Sequence, residues 1–145
     1  MPKVFTSKSQ KIGEIGEDIA CKFLVKQGFD IIERNFTRKC GEIDIVAKKN
    51  KKIHFIEVKS VSRENLNDFS REVLHLPEFA RADVKHQFRP EENMHPIKAQ
   101  KMARTIEVYL SYRNISTPWQ ADLLCVYLNI INKQARVKVM QNIIL

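Results

Sequence analysis

The stretch CGEIDIVAKKNKKIHFIEVKSV, residues 40–61, decides the fold. Two apolar runs flank a lysine-rich turn, and each carries an acid where a core side chain is expected. Asp44 interrupts Ile43 and Ile45, and Glu57 stands between Ile56 and Val58. EIDIVAKK and KIHFIEVKSV read as two strands joined by a hairpin turn near Asn50. Strand side chains alternate between faces, so Glu57 and Lys59 share one. If Asn50 and Lys51 form a two-residue turn, pairing outward from Lys49 and Lys52 sets Asp44 directly opposite Glu57. A longer turn shifts that register.

An acid and a lysine two apart on an exposed strand are ordinarily a solvated pair worth at most about 1 kcal/mol. Here the acids sit within runs of Ile, Val and Phe, as in strands covered on both faces. Charges are costly to bury there without partners. Two adjacent carboxylates repel unless a cation or a proton lies between them. Mg²⁺ (or Mn²⁺) takes oxygen ligands, lowers the pKa of bound water and withdraws charge from a phosphoryl oxygen. A neighbouring ammonium, Lys59, would orient the attacking water or stabilise charge on the phosphate. This is equipment for phosphodiester hydrolysis.

Outward from the hairpin, Ile12, Ile15, Ile19, Phe23 and Leu24 recur near helical spacing, predicting a helix over 9–27 stopped by Gly28. FDIIERNF (29–36) is strand-like. Residues 64–95 have mixed charge, several prolines and no steady period, and form a long irregular excursion in which LNDFSREVLHL reads at most as a short helix. Pro96 then opens a helix whose apolar stripe is Ala99, Met102, Ala103, Ile106, Tyr109 and Leu110. WQADLLCVYLNI and ARVKVMQNIIL read as two final strands turning at Asn132. The expected order is α-β-β-β-(irregular)-α-β-β, within one domain spanning 1–145.

The chain of 145 residues is 43% hydrophobic and 29% charged, the balance of a folded soluble domain. Its N-terminus lacks the apolar run of a secretion signal and no run is long enough to span a membrane, so a cytoplasmic location is expected. Cys21, Cys40 and Cys125 lack zinc-site spacing; His54 lies within a strand and His75, His86 and His95 are scattered through the excursion, and without metal-site spacing a surface location is the expectation for them. A net charge of +8 makes approach to a polyanion favourable. Lys98, Lys101 and Arg104 recur along one side of the long helix. Lys48, Lys49, Lys51 and Lys52 crowd the hairpin turn, either as phosphate contacts or as a solvated loop. No base-reading module is legible, so any nucleic acid is expected to be recognised by shape.

The segments GEIGEDIACKFLVKQGFDIIERNF, GEIDIVA and FIEVKSV together resemble the YraN-like family of bacterial proteins, a relative of archaeal Holliday-junction resolvases and restriction endonucleases. The match is continuous over residues 13–61. It continues more weakly through KAQKMARTIEVYL (98–110) and ADLLCV (121–126). The resemblance implies an α/β, restriction-endonuclease-like fold with a mixed central β-sheet flanked by helices. It implies a metal-dependent nuclease for structured or branched DNA, acting as a homodimer. Asp44 and Glu57 would be its metal ligands, Lys59 its water-orienting group and Glu17 an auxiliary acid on the first helix. Glu42 shares a strand face with Asp44, as a supporting acid or simply an exposed one. Two departures stand out. The family usually has Arg-Phe-Asp where this chain has Gln120-Ala121-Asp122, and the stretch between Lys59 and Lys98 is longer than usual. The alternatives are a non-catalytic nucleic-acid-binding module on the same fold, or a protein-interaction adaptor using the excursion.

Overall fold

The near-helical spacing of Ile12 to Leu24 becomes helix α1 (Lys8–Lys26) in the computed structural model, which describes residues 8–62, 74–75, 94–129, 131–143 and 145. The helix stops where Gly28 takes φ +93°. The Gly28 and Phe29 N–H groups then donate back to the Val25 and Leu24 carbonyls at 3.0 Å each, satisfying the last turn. Three strands follow, β1 (Asp30–Arg38), β2 (Gly41–Lys49) and β3 (Lys52–Ser62). Asn50 and Lys51 both have positive φ, 52° and 63°, the two-residue turn whose twist suits a hairpin. Lys49 pairs with Lys52 and the ladder runs regularly to Ile45 opposite Ile56, where it ends one residue short of Asp44 and Glu57.

Helix α2 (Pro96–Tyr112) carries the chain to β5 (Trp119–Asn129), which lies parallel to β3, and β6 (Gln134–Met140) returns antiparallel. A two-residue strand, β4 (Leu74–His75), pairs with β6, giving the order β1-β2-β3-β5-β6-β4. The result is an α/β fold with a mixed sheet flanked by two helices, compatible with a restriction-endonuclease-like fold. Leu74–His75 is thus strand where a short helix was the expectation, because β6 offers its edge there. The rest of the 64–93 excursion lies outside the described residues.

Both faces of the sheet are covered. Ile19, Ala20, Phe23 and Leu24 of α1 pack on Ile45, Ala47, Ile56, Leu124 and Val126. Met102, Ile106 and Tyr109 of α2 pack on Val46, Ile53, Phe55 and Ala121 from the other side. That explains why β2, β3 and β5 read as nearly unbroken apolar runs. At Gly41 the backbone passes so near α2 that a Cβ would lie 2.8 Å from Thr105 Oγ1 and 3.3 Å from the Lys101 carbonyl oxygen. At Gly16 a Cβ would meet Ser60 Oγ at 1.8 Å. Two glycines therefore set how closely each helix approaches the strands that carry the acids. The last expected strand ends early. After Met140 the chain turns through Asn142 (φ 54°) and the Ile143 N–H donates to the Ala121 carbonyl at 2.7 Å.

Candidate functional site

A cleft of about 710 Å³ opens between the first turns of α2, the middle of α1 and the ends of β2 and β3 opposite the hairpin turn. Its lining includes Glu17, Glu42, Asp44, Glu57, Lys98 and Lys101. Glu57 is buried, 5% exposed, on the strand face that α2 covers. Asp44 lies just past the last β2–β3 ladder pair, where its Oδ2 accepts the Val58 N–H at 2.8 Å. The two carboxyls hydrogen bond to each other. A strand end that stops pairing thereby turns one acid onto the neighbouring backbone and against a second acid.

Burial comes first in the electrostatics. It raises the Asp44 carboxyl above its usual range, although the Val58 N–H and the Glu57 hydrogen bond act the other way. Burial, then the charge of Asp44, pushes Glu57 up to about 8. The nearby Lys98 ammonium counteracts both rises and bonds directly to Glu57 Oε1. At neutral pH the pair therefore keeps a proton, with Glu57 donating to Asp44. Burial pulls the Lys98 ammonium down, but Glu57, Asp44 and Glu42 outweigh it and raise it.

Glu17 lines the same cleft from α1 but is held at its rim. Arg34 Nη2 stands 3.7 Å from Glu17 Oε1 and 3.0 Å from Asp18 Oδ1. With its amide turned to donate, Asn35 bridges Glu17 Oε1 at 3.1 Å and Glu42 Oε1 at 3.3 Å. Asn35 does so from a left-handed conformation, φ 54°, inside β1. An Asn amid strand-forming residues is the sequence signal for such a kink, and sequence reasoning passed over it. Lys101 joins the wall, whereas Arg104 is exposed on the next turn of α2.

Other sequence candidates are not gathered here. Lys59 is not among the residues lining the cleft. Lys49 and Lys51 stand at the hairpin turn, five residues from Asp44 and six from Glu57 along their strands, and so about 17–20 Å from the acid pair. Lys49 instead lines a second cavity of about 330 Å³, with its Nζ 5.1 Å from the Phe29 ring centroid. His54 and Asp122 lie on that cavity's wall. His54, expected at the surface, is 8% exposed, its Nδ1 2.7 Å from Asp122 Oδ2. Asp122 Oδ1 also accepts from Gln120 Nε2 at 2.7 Å and the Asn142 N–H at 2.8 Å. The aspartate of the Gln-Ala-Asp segment thus ties β3, β5 and the C-terminal turn together, away from the acid cleft. His95 caps α2, its Nδ1 accepting the Ile97 N–H at 3.2 Å.

The residues present fit a small hard cation. Buried Glu57 and half-buried Asp44 supply oxygen donors, and once their shared proton leaves they need positive charge between them. Among the described residues, no three Asp, Glu, His or Cys side chains gather closely enough to hold a metal ion by themselves. Asp44 and Glu57 would therefore hold Mg²⁺ with water and a phosphate oxygen completing its shell, as is usual for that ion.

The fold and this cleft define the class: a mixed-sheet α/β protein with a carboxyl pair presented from the end of a central hairpin. Within that class, the chain belongs to the family described as uncharacterised protein family UPF0102, whose profile matches residues 16–140. This is the YraN-like family. A UPF0102 protein of Campylobacter jejuni serotype O:2 is 40% identical over 119 residues, 82% of this chain and 86% of that protein. One from Campylobacter fetus is 35% identical over 136 residues, covering 94% and 96%. One from a Sulfurovum species is 35% identical over 127 residues, covering 87% and 86%.

Proposed function

We propose that the chain is a Mg²⁺- or Mn²⁺-dependent endonuclease acting on structured or branched DNA. The observation that carries this reading is the Asp44–Glu57 pair, Glu57 buried and Asp44 half-buried, kept together at a cleft wall with a raised Glu57 carboxyl. Such an arrangement costs stability, because the acids lose hydration and are accommodated side by side only while a proton or a cation lies between them. A divalent cation, when bound, supplies a water of lowered pKa and withdraws charge from the scissile phosphoryl group. Asp44 and Glu57 would hold that cation through carboxyl oxygens, with Asp44 kept in place by the Val58 N–H. Glu17, restrained by Arg34 and Asn35, shapes the negative rim. Lys101, Arg104 and the overall +8 charge draw the DNA backbone toward the cleft without reading its sequence. A homodimer would place two such clefts on a two-fold symmetric junction.

One observation favours a second reading, a non-catalytic nucleic-acid-binding module. Lys59 does not line the cleft, and Lys98 partly neutralises the acids without any metal. Four-way-junction and linear duplex DNA, incubated with Mg²⁺, Mn²⁺ or EDTA, separate the two. The nuclease reading expects metal-dependent cleavage of the junction, lost at least about 100-fold in Asp44→Asn with binding retained. Salt-sensitive binding with no cleavage in any divalent metal leaves the binding module.

A further inference from the structure

The ammonium on Glu57 comes from an unexpected element. Lys98 is the third residue of α2, whose start is set by Pro96 and by the His95 cap. Its side chain is 61% exposed while that of Glu57 is 6% exposed, so the lysine reaches in from the mouth of the cleft to a carboxyl group fixed in its wall. Lys59 belongs to the same strand as Glu57, is held in register opposite Cys125, and does not line the cleft. A divalent cation held by Asp44 and Glu57 would draw on the same Glu57 carboxyl that Lys98 now contacts, and two cations so close repel each other. A long, half-exposed stem on a helix can withdraw from that carboxyl and stay at the wall.

Resting on the nuclease reading, we infer that Lys98, rather than Lys59, is the positioning ammonium of the cleft, covering Glu57 until a divalent cation displaces it and then facing the bound phosphate. The cation and the ammonium exclude each other at Glu57. Removing the ammonium therefore strengthens metal binding while weakening catalysis, a split that a merely structural lysine would not produce.

Mn²⁺ binding to the full chain without DNA, read by electron paramagnetic resonance, is compared for wild type, Lys98→Met and Lys59→Met, alongside junction cleavage. Lys98→Met is expected to bind Mn²⁺ about fivefold more tightly or better, the order of magnitude for losing one competing ion pair. Lys59→Met should stay within about twofold of wild type on the same grounds. Junction cleavage should fall at least about 100-fold in Lys98→Met and much less in Lys59→Met. Unchanged or weaker Mn²⁺ binding in Lys98→Met overturns the assignment, as does a cleavage loss confined to Lys59→Met. Should wild type cleave nothing in any metal, the nuclease reading fails by itself. The Mn²⁺ comparison still decides whether Lys98 guards Glu57, and absence of Mn²⁺ binding in every variant overturns that too.

Discussion

Replacing Glu57 by Gln tests the electrostatics of the cleft without any assumption about substrate. Gln keeps the shape, can still donate to Asp44 and accept from Lys98, and cannot ionise. In the wild-type chain the Glu57 carboxyl titrates near 8 when folded against 4.5 ordinarily. Between those values the folded chain holds a proton that the unfolded chain has released. Stability therefore falls as pH rises, by at most about 1.4 kcal/mol per pH unit. From pH 5.5 to 8 the ceiling is roughly 3.4 kcal/mol, and water entering an open cleft lowers it to about 2 kcal/mol. Urea unfolding in EDTA at pH 5.5 and 8.5 measures it. Relative to wild type, Glu57→Gln should gain about 2 kcal/mol on going to the higher pH. A difference that stays flat within about 0.5 kcal/mol, or slopes the other way, would refute a buried, proton-sharing acid pair. Asp44→Asn, which keeps an acceptor for the Val58 N–H and removes the repelling charge, should show the same direction.

Because a cation must replace the shared proton, Mn²⁺ affinity measured by calorimetry should rise with pH up to about 8 and release close to one proton per ion below it. Lys51→Gly should stabilise the fold by about 1 kcal/mol in thermal unfolding, since Lys51 pays for a φ of 63° that glycine adopts freely. Asp122→Ala should cost about 2–4 kcal/mol by orphaning His54, Gln120 and the Asn142 N–H, while leaving Mn²⁺ affinity within about twofold. Gly41→Ala should push α2 outward and cost about 1–3 kcal/mol, read by urea midpoint, because a Cβ has no room beside Thr105 and Lys101.

Local pattern carried much of this protein. Helical spacing with a terminal glycine placed α1 within a residue at each end. A two-residue turn fixed the pairing as far as Ile45 opposite Ile56, because hairpin pairing is counted outward from its own turn, and Asp44 and Glu57 come together just beyond the last pair. What failed were contacts between distant parts of the chain. His54 looked like a surface residue until β5 brought Asp122 against it, 68 positions later. The final apolar run looked like strand to its end, yet Asp122 and Ala121 capture the N–H groups of Asn142 and Ile143 and turn it away. Glu17 was readable as a helix acid, but its restraint by Arg34 and Asn35 depends on β1 lying alongside α1.

The amino-acid order alone determined the succession of elements and the hairpin that sets two acids side by side, since both follow from backbone periodicity and near-neighbour pairing. The packing of α2 across the sheet decided that Lys98 meets those acids, since the start of a helix docked over the cleft lets it reach Glu57 from 41 residues away in the chain. No local rule encodes that meeting, because it depends on how close two covered faces of one sheet allow a helix to come.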